Sequence, residues 1–194
     1  MLAMAALWAS PAAAMPLIYQ IDPNSTSIGF AVDLFGLAPI EGEFTRFSGR
    51  LIVDAAQPEK SSVSVTIDTG SAALGWELAE NMVASESYLD SMHFPQLLFD
   101  SRAVTRLGPG KIRMEGVLTM RGVSHWQGFE ATIAEHHWNA ERRADEADFI
   151  AVGTVHRSDY RMLDGQDLID DRVTFTIRVR LLIDDANLIP GPVR

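Results

Sequence analysis

The sequence predicts an all-β fold, an extended antiparallel β-barrel interrupted by one short helical excursion. Three observations carry this. Apolar and polar residues alternate in segment after segment. Several alternating runs reach about ten residues, longer than the ~5 to 6 usual for strands. Turn signals rich in Gly, Pro, Asn and Asp separate them. Antiparallel strands with one apolar face must close on themselves or stack to remove their edges, and long ones favour closure.

The elements follow in order. Leu17 to Ile21 opens the β region, and Asp22, Pro23 and Asn24 supply a turn. Asn24-Ser25-Thr26 has the form of a glycosylation sequon but falls in that turn and is read as turn chemistry. The next stretch, STSIGFAVDLFGL, places Ile28, Phe30, Val32 and Leu34 on one face and Gly29, Ala31 and Asp33 on the other. Shorter strands are predicted over Ile40 to Thr45 and Gly49 to Asp54. Val63, Val65 and Ile67 then alternate with Ser62, Ser64 and Thr66. From Ser71 to Met92 the period changes. Trp76, Leu78, Met82, Val83 and Leu89 fit helical spacing, with Ser87 and Asp90 placed as a short capping box.

A strand from Leu97 meets the turn LGPGK, Leu107 to Lys111, which predicts a hairpin. Beyond it Ile112, Met114, Gly116, Leu118 and Met120 share a face, with one break at Val117. Strands are also predicted over Ser124 to Ile133 and Asp148 to His156. In the last run Val173, Phe175, Ile177, Val179 and Leu181 alternate with Arg172, Thr174, Thr176, Arg178 and Arg180. The tail NLIPGPVR is expected to be loose because its prolines cannot join a ladder. One domain is therefore expected over residues 15–186, with the tail over 187–194.

The bulk numbers narrow the function. The chain has 194 residues, 47% hydrophobic and 22% charged, enough for one domain with a substantial core. A net charge of -10 excludes nucleic acid as a partner and disfavours an anionic membrane surface. The first 14 residues, MLAMAALWASPAAA, are uncharged and end with Ala12 and Ala14 placed as an A-x-A cleavage site, which reads as a secretory signal peptide and predicts a periplasmic protein. The positively charged start usual in such leaders is missing, the first basic residue being Arg46. No later segment offers ~20 apolar residues in a row, so no stable membrane insertion is expected. There is no cysteine, hence no disulfide, thiolate nucleophile or Cys-ligated metal.

Catalytic and metal chemistry find little support. GVSHW, Gly122 to Trp126, starts like a nucleophile elbow but lacks the closing glycine. His136 and His137 are adjacent, so a strand would point them to opposite faces; they are read as exposed loop histidines. The acidic run DGQDLIDD, Asp164 to Asp171, lacks the pattern of a calcium loop and is read as solvated. His125 and His156 are the available bases, neither with a visible partner. No catalytic residue, metal site or cofactor is assigned, and the protein is not expected to be an enzyme. Arg157, Ser158 and Asp159 suit a charge-assisted network at a strand end, or contact with a ligand head, with the network favoured. By itself, the apolar alternation favours a filled core over a cavity wall, because such alternation is expected in any β-protein.

Several motifs in a fixed order resemble the YceI-like family, the lipid or polyisoprenoid-binding YceI-like domain. They are YQIDPNSTSIGFAVDLFG, then FSGRLIVD followed by SSVSVTIDTGS, then SESYLDSMHFPQLLFDS, GVLTMRGVS, and GTVHRSDYRM ahead of VTFTIRV. The resemblance runs from Tyr19 to about Asp184. It departs from the family's pattern at Met82 to Ser85, at Arg121, and at His125 and Trp126, where polar or basic groups are usual in other combinations. It implies a lipocalin-like barrel whose interior holds a long isoprenoid chain or quinone-type lipid. The expected ligand-binding residues are Ile28, Phe30, Val32, Phe44, Phe99, Met114, Gly116, Leu118, Phe175 and Ile177. Gly42, Gly116, Met114, Met120 and Gly153 would leave room and adaptable walls for it. Under this reading the protein carries or sequesters the lipid. An enzyme acting on that lipid, or a filled barrel docking on a membrane complex, are the alternatives. The oligomeric state stays open, a homodimer included.

Overall fold

The computed structural model describes residues 16–21, 23–35, 37–54, 57–140 and 144–183. The expected leader and loose tail lie outside these residues. Among the described residues eleven strands form one antiparallel sheet. They are β1 (Leu17–Ile21), β2 (Thr26–Leu34), β3 (Ile40–Phe44), β4 (Phe47–Val53), β5 (Ser62–Asp68), β6 (Ala72–Ala73), β7 (Gln96–Gly108), β8 (Lys111–Met120), β9 (Val123–Asn139), β10 (Ala144–His156) and β11 (Ile169–Ile183). One α-helix, α1 (Glu77–Ala84), lies between β6 and β7.

The ladder order is β1-β4-β5-β7-β8-β9-β10-β11-β2-β3-β6. Its two ends are tied by covalent links. β1 lies beside β4 at one end, yet only the short turn after Ile21 separates it from β2, which pairs with β11 at the other. Two residues, Thr45 and Arg46, likewise join β3 to β4. Links this short span at most ~3.3 to 3.6 Å per residue, so the two ends of the sheet are close and the sheet is curled into a barrel. Registers place Ile28 opposite Phe44 and Ile177, and Phe30 opposite Gly42 and Phe175, so the apolar face predicted for β2 is the inward face of three neighbouring strands.

Tight turns fix the hairpins. Gly108 pairs with Lys111 across Pro109-Gly110, where Pro109 presets its own φ and Gly110 takes φ +66°. β8 turns into β9 through Arg121 (φ +50°) and Gly122 (φ +70°), the two positive values that a two-residue hairpin twisting with its strands requires.

Four expectations need correction. β8 is continuous through Val117; the irregularities lie across the ladder in β7, at Ser101/Ala103 and Arg106/Gly108. The helix is shorter than its spacing suggests. Trp76 is the N-cap, and Trp76 and Leu78 face solvent at 57% and 72% exposure; Leu89 lies beyond the helix. Ser87 and Asp90 form no capping box, because the helix has already ended at Ala84. Glu80 instead reaches back to accept from the amides of Leu74 and Gly75, and Asp90 takes φ +50° and accepts a 2.8 Å bond from His93 Nδ1. His136 and His137 are strand residues, paired with Ala147 and Glu146; the ladder outlasts the apolar alternation that led sequence reading to end β9 at Ile133.

Candidate functional site

Among the described residues the barrel interior shows two cavities. The larger, about 1170 Å³ with its opening to solvent counted, is lined from nine strands, β1, β2, β4, β5 and β7 to β11. Its wall is aliphatic and aromatic apart from Thr26, Ser61 and Ser62. Ser61 is occupied, its Oγ accepting the Asp54 amide at 3.0 Å. The smaller cavity, about 730 Å³ with its opening to solvent counted, is walled by β2, β3, β8, β10 and β11 together with α1, Leu74 ahead of it and the loops that follow α1 and β10.

The boundary between them runs at one level around the barrel. Along β2 it falls between Ile28 and Phe30, along β8 between Leu118 and Met120, and along β10 between Ala151 and Val155. On β11 it falls at Phe175, which borders both cavities. Phenylalanine rings fill this level. Phe44 stacks parallel to Phe175 at 6.5 Å and meets Phe30 at 5.2 Å, while Phe99 and Phe129 stand edge to face at 5.0 Å just inside the larger chamber.

Of the residues expected to bind ligand, Ile28, Phe99, Met114, Leu118, Phe175 and Ile177 line the larger cavity. Phe30, Val32 and Phe44 line the smaller one, with Phe175 shared. Gly116 lines neither. It lies against the bulged part of β7, where a Cβ would run into the carbonyl oxygen of Asp100 and the Cα of Ser101. Gly42 and Gly153 are likewise filled by neighbours, the Phe30 ring in the first case and the Phe129 ring in the second. These glycines therefore give space to packed protein groups and not to a ligand. Met114 and Met120 do form walls, one in each cavity.

Sequence reading missed most of the smaller chamber. Tyr88, Leu89, Arg157 and Met162 come from loops, where no periodicity flags a side chain as inward. Three non-glycine residues with positive φ stand among the described residues: Asp90 (50°), Arg121 (50°) and Arg161 (62°). Each is next to a residue of this wall, namely Leu89, Met120 and Met162. Such backbone persists only where its surroundings hold it. Here Arg121 supplies the hold, donating to the carbonyls of Arg161 (2.8 Å) and Glu86 (2.9 Å).

The HRSDY segment forms the network its residues suggest. Arg157 is 3% exposed and donates to the carbonyls of Asp164, Ile169 and Asp170; its guanidinium lies 5.5 Å from the centre of the Tyr88 ring. The Asp171 carboxylate accepts from the Ser158 amide (2.7 Å), the Ser158 hydroxyl (2.8 Å) and His156 Nδ1 (3.1 Å). Partial burial pushes its pKa up, but those bonds outweigh this and hold it below the ordinary value. His125 Nε2 donates to the Asp159 carbonyl at 3.0 Å, and its ring meets Tyr160 edge-on at 5.2 Å. Burial, helped by the Asp159 charge, pushes the Tyr160 hydroxyl up to about 12, which keeps it neutral. Both histidines are thus engaged in holding the chain. Among the described residues no cluster of His, Cys, Asp or Glu is placed to hold a metal, and no helix is long and apolar enough to cross a membrane.

An antiparallel barrel with an almost wholly apolar chamber defines a class, the β-barrels that enclose an apolar interior. Within that class the chain belongs to the YceI-like domain family, whose model matches residues 19–181. It is 30% identical over 164 residues to a UPF0312 protein of Pseudomonas putida, covering 82% of this chain and 83% of that one. Its fold is similar to that of Burkholderia cenocepacia BcnA (TM-score 0.74, 24% identity, 83% of this chain and 99% of that chain). It is also similar to a polyisoprenoid binding domain from Saccharophagus degradans implicated in plant cell wall breakdown (TM-score 0.58, 11% identity, 85% and 98%).

Proposed function

We propose that this protein is a periplasmic carrier or sequestering protein for a long isoprenoid or quinone-type lipid, held in the larger chamber. The observation that carries the reading is the composition of that chamber's wall, in which three hydroxyl-bearing residues are the sole polar ones. Such a wall offers a long hydrocarbon chain dispersion contacts throughout its length and offers a charged ligand nothing. Membership of the YceI-like family and the likeness to a domain described as polyisoprenoid-binding support the same class of ligand. Burial of ~0.8 kcal/mol per methylene-sized group makes each five-carbon unit worth ~3 to 4 kcal/mol before ordering costs. Affinity is then readily available, and what the protein must manage is release.

One purification tests both parts. Protein taken from the periplasmic fraction is expected to begin at Met15, and its organic-solvent extract is expected to contain an isoprenoid lipid at a stoichiometric ratio by mass spectrometry. Cytoplasmic protein still carrying Met1 would refute export, and a lipid-free extract would refute the carrier.

A further inference from the structure

We propose that the outer rim of the smaller chamber is a docking surface for another protein, one that presents an apolar patch flanked by lysine and arginine. The inference concerns the outside of the barrel and does not depend on the isoprenoid reading.

The argument begins with apolar side chains that the fold leaves in water. Three segments meet at the chamber wall, contributing Val32 from the end of β2, Met82 and Val83 from α1, and Met162 and Ile169 from the loop after β10. The first and third are joined directly, the Phe35 amide donating to the Leu168 carbonyl at 2.9 Å. On these segments Phe35, Leu37, Leu78, Met82, Leu163 and Leu168 are all exposed, Leu37 and Leu168 by 73% and 68%. Leu78 and Met82 are four residues apart and share one side of α1, while Ala79 is buried beneath them. Single exposed apolar residues are ordinary; six around one opening make a patch of the kind that marks an interaction site.

The patch is also held in place. Arg157 donates to the carbonyls of Asp164, Ile169 and Asp170, and the Leu168 amide closes onto the Gly165 carbonyl at 2.9 Å, with Gly165 at φ +72°. Glu80 anchors the start of α1 through the amides of Leu74 and Gly75. A surface fixed before contact loses less conformational freedom on binding.

Charge selects the occupant. Residues 33–39, 74–92 and 161–169 carry the exposed carboxylates Asp33, Glu77, Glu86, Asp164 and Asp167 and a single basic residue, Arg161. The arginines that approach from the sheet are engaged, Arg121 by the carbonyls of Arg161 and Glu86, and Arg172 by Asp170 at 3.0 Å. An acidic rim of this kind repels an anionic bilayer and equally repels a second copy of itself. It attracts a protein face whose apolar centre is edged with cations.

Calorimetric titration with a designed amphipathic helix of leucine and lysine, ~14 residues or about four turns long, tests this against the same helix with glutamate in place of lysine. The lysine helix is expected to bind at least about tenfold more tightly, to weaken with added salt, and to protect the amides of α1 and of residues 161–169 from exchange. Leu78→Gln combined with Leu168→Gln, both at exposed positions, is expected to weaken it at least about tenfold while the lipid recovered from the barrel is unchanged. Glu77→Gln combined with Asp164→Asn is expected to flatten the salt dependence. Equal binding of the two helices, or undiminished binding by the leucine variant, overturns the proposal. Binding of the protein to phosphatidylglycerol or phosphatidylcholine vesicles that the leucine variant abolishes would assign the rim to a bilayer, and self-association lost in that variant would assign it to a second copy; either overturns it. Each result can be read with the isoprenoid still bound, so failure here is distinct from failure of the carrier reading.

Discussion

The two chambers are built by different means. The larger is walled almost wholly by strand residues, most of them in the period of two, as with Val63, Val65 and Ile67 on β5 and Phe175, Ile177, Val179 and Leu181 on β11; Ser61 just ahead of β5, Ser62 at its start and Val104 beyond the β7 bulge are the exceptions. The smaller takes only part of its wall from strands and completes it with α1 and with loops held by side chain to backbone bonds from Arg121 and Arg157. Regular structure satisfies its own backbone and leaves its inward face free to be uniformly apolar. Irregular structure must satisfy its carbonyls with side chains, and Arg157, buried against three of them, is the result. Both chambers are apolar inside, and they differ in what holds their walls in place.

The largest expected effect comes from removing the ring that the chambers share. Phe175 is 7% exposed and stacked on Phe44, so Phe175→Ala is expected to cost about 3 to 5 kcal/mol of stability, with Phe175→Leu as a milder form. An unchanged melting temperature for both variants would show that Phe175 is not part of the packed partition between the chambers.

A smaller effect on stability, but a larger one on binding, is expected from Ala151→Leu. Ala151 lines the larger cavity and already carries a Cβ, so the added atoms project into its space without the backbone collision that a side chain at Gly116 would suffer. Stability is expected to change by less than about 1.5 kcal/mol, in contrast to the ~1 to 3 kcal/mol of an overpacked core. The co-purifying lipid is expected to fall sharply. A strong loss of stability with lipid retained would mean that this part of the interior is a filled core.

What was legible in the sequence divides along the same line. The strands and the inward faces of β2, β5, β8 and β11 follow from alternation, and the Pro109-Gly110 hairpin from its turn residues. The Arg121-Gly122 hairpin was not visible, since arginine rarely takes positive φ and signals no turn. The glycines misled for a related reason. A missing side chain reads the same whether the space it leaves belongs to a ligand or to a neighbouring backbone, and only the register across the ladder separates Gly116 beside the β7 bulge from an open wall. Arg157 was visible as part of a network, but its position on a cavity wall depends on Tyr88, nearly seventy residues earlier in the chain, and no local pattern encodes that.

The smallest expected effect is on pH dependence, and it too separates the chambers. Asp171 is held below the ordinary carboxylate value of 3.8 by its bonds from Ser158 and His156. A carboxyl whose pKa is depressed by folding stabilises the native state above its unfolded pKa, and that contribution is lost as pH falls through the folded value. The side chain is 38% exposed, so solvent screening keeps the contribution small, below about 1 kcal/mol. Asp171→Asn is accordingly expected to lower the melting temperature slightly at pH 7, with the gap to the wild-type protein narrowing below pH 3.8. The consequence is local, because Ser158 adjoins Arg157 and the Asp171 carbonyl accepts the Arg157 amide at 2.7 Å. Hydrogen exchange at acid pH should therefore quicken in the segment from Arg157 to Asp171 before it does in β7, β8 and β9. If all strands and loops lose protection together, the loop-walled chamber is no less stable than the strand-walled one, and the two differ in construction alone.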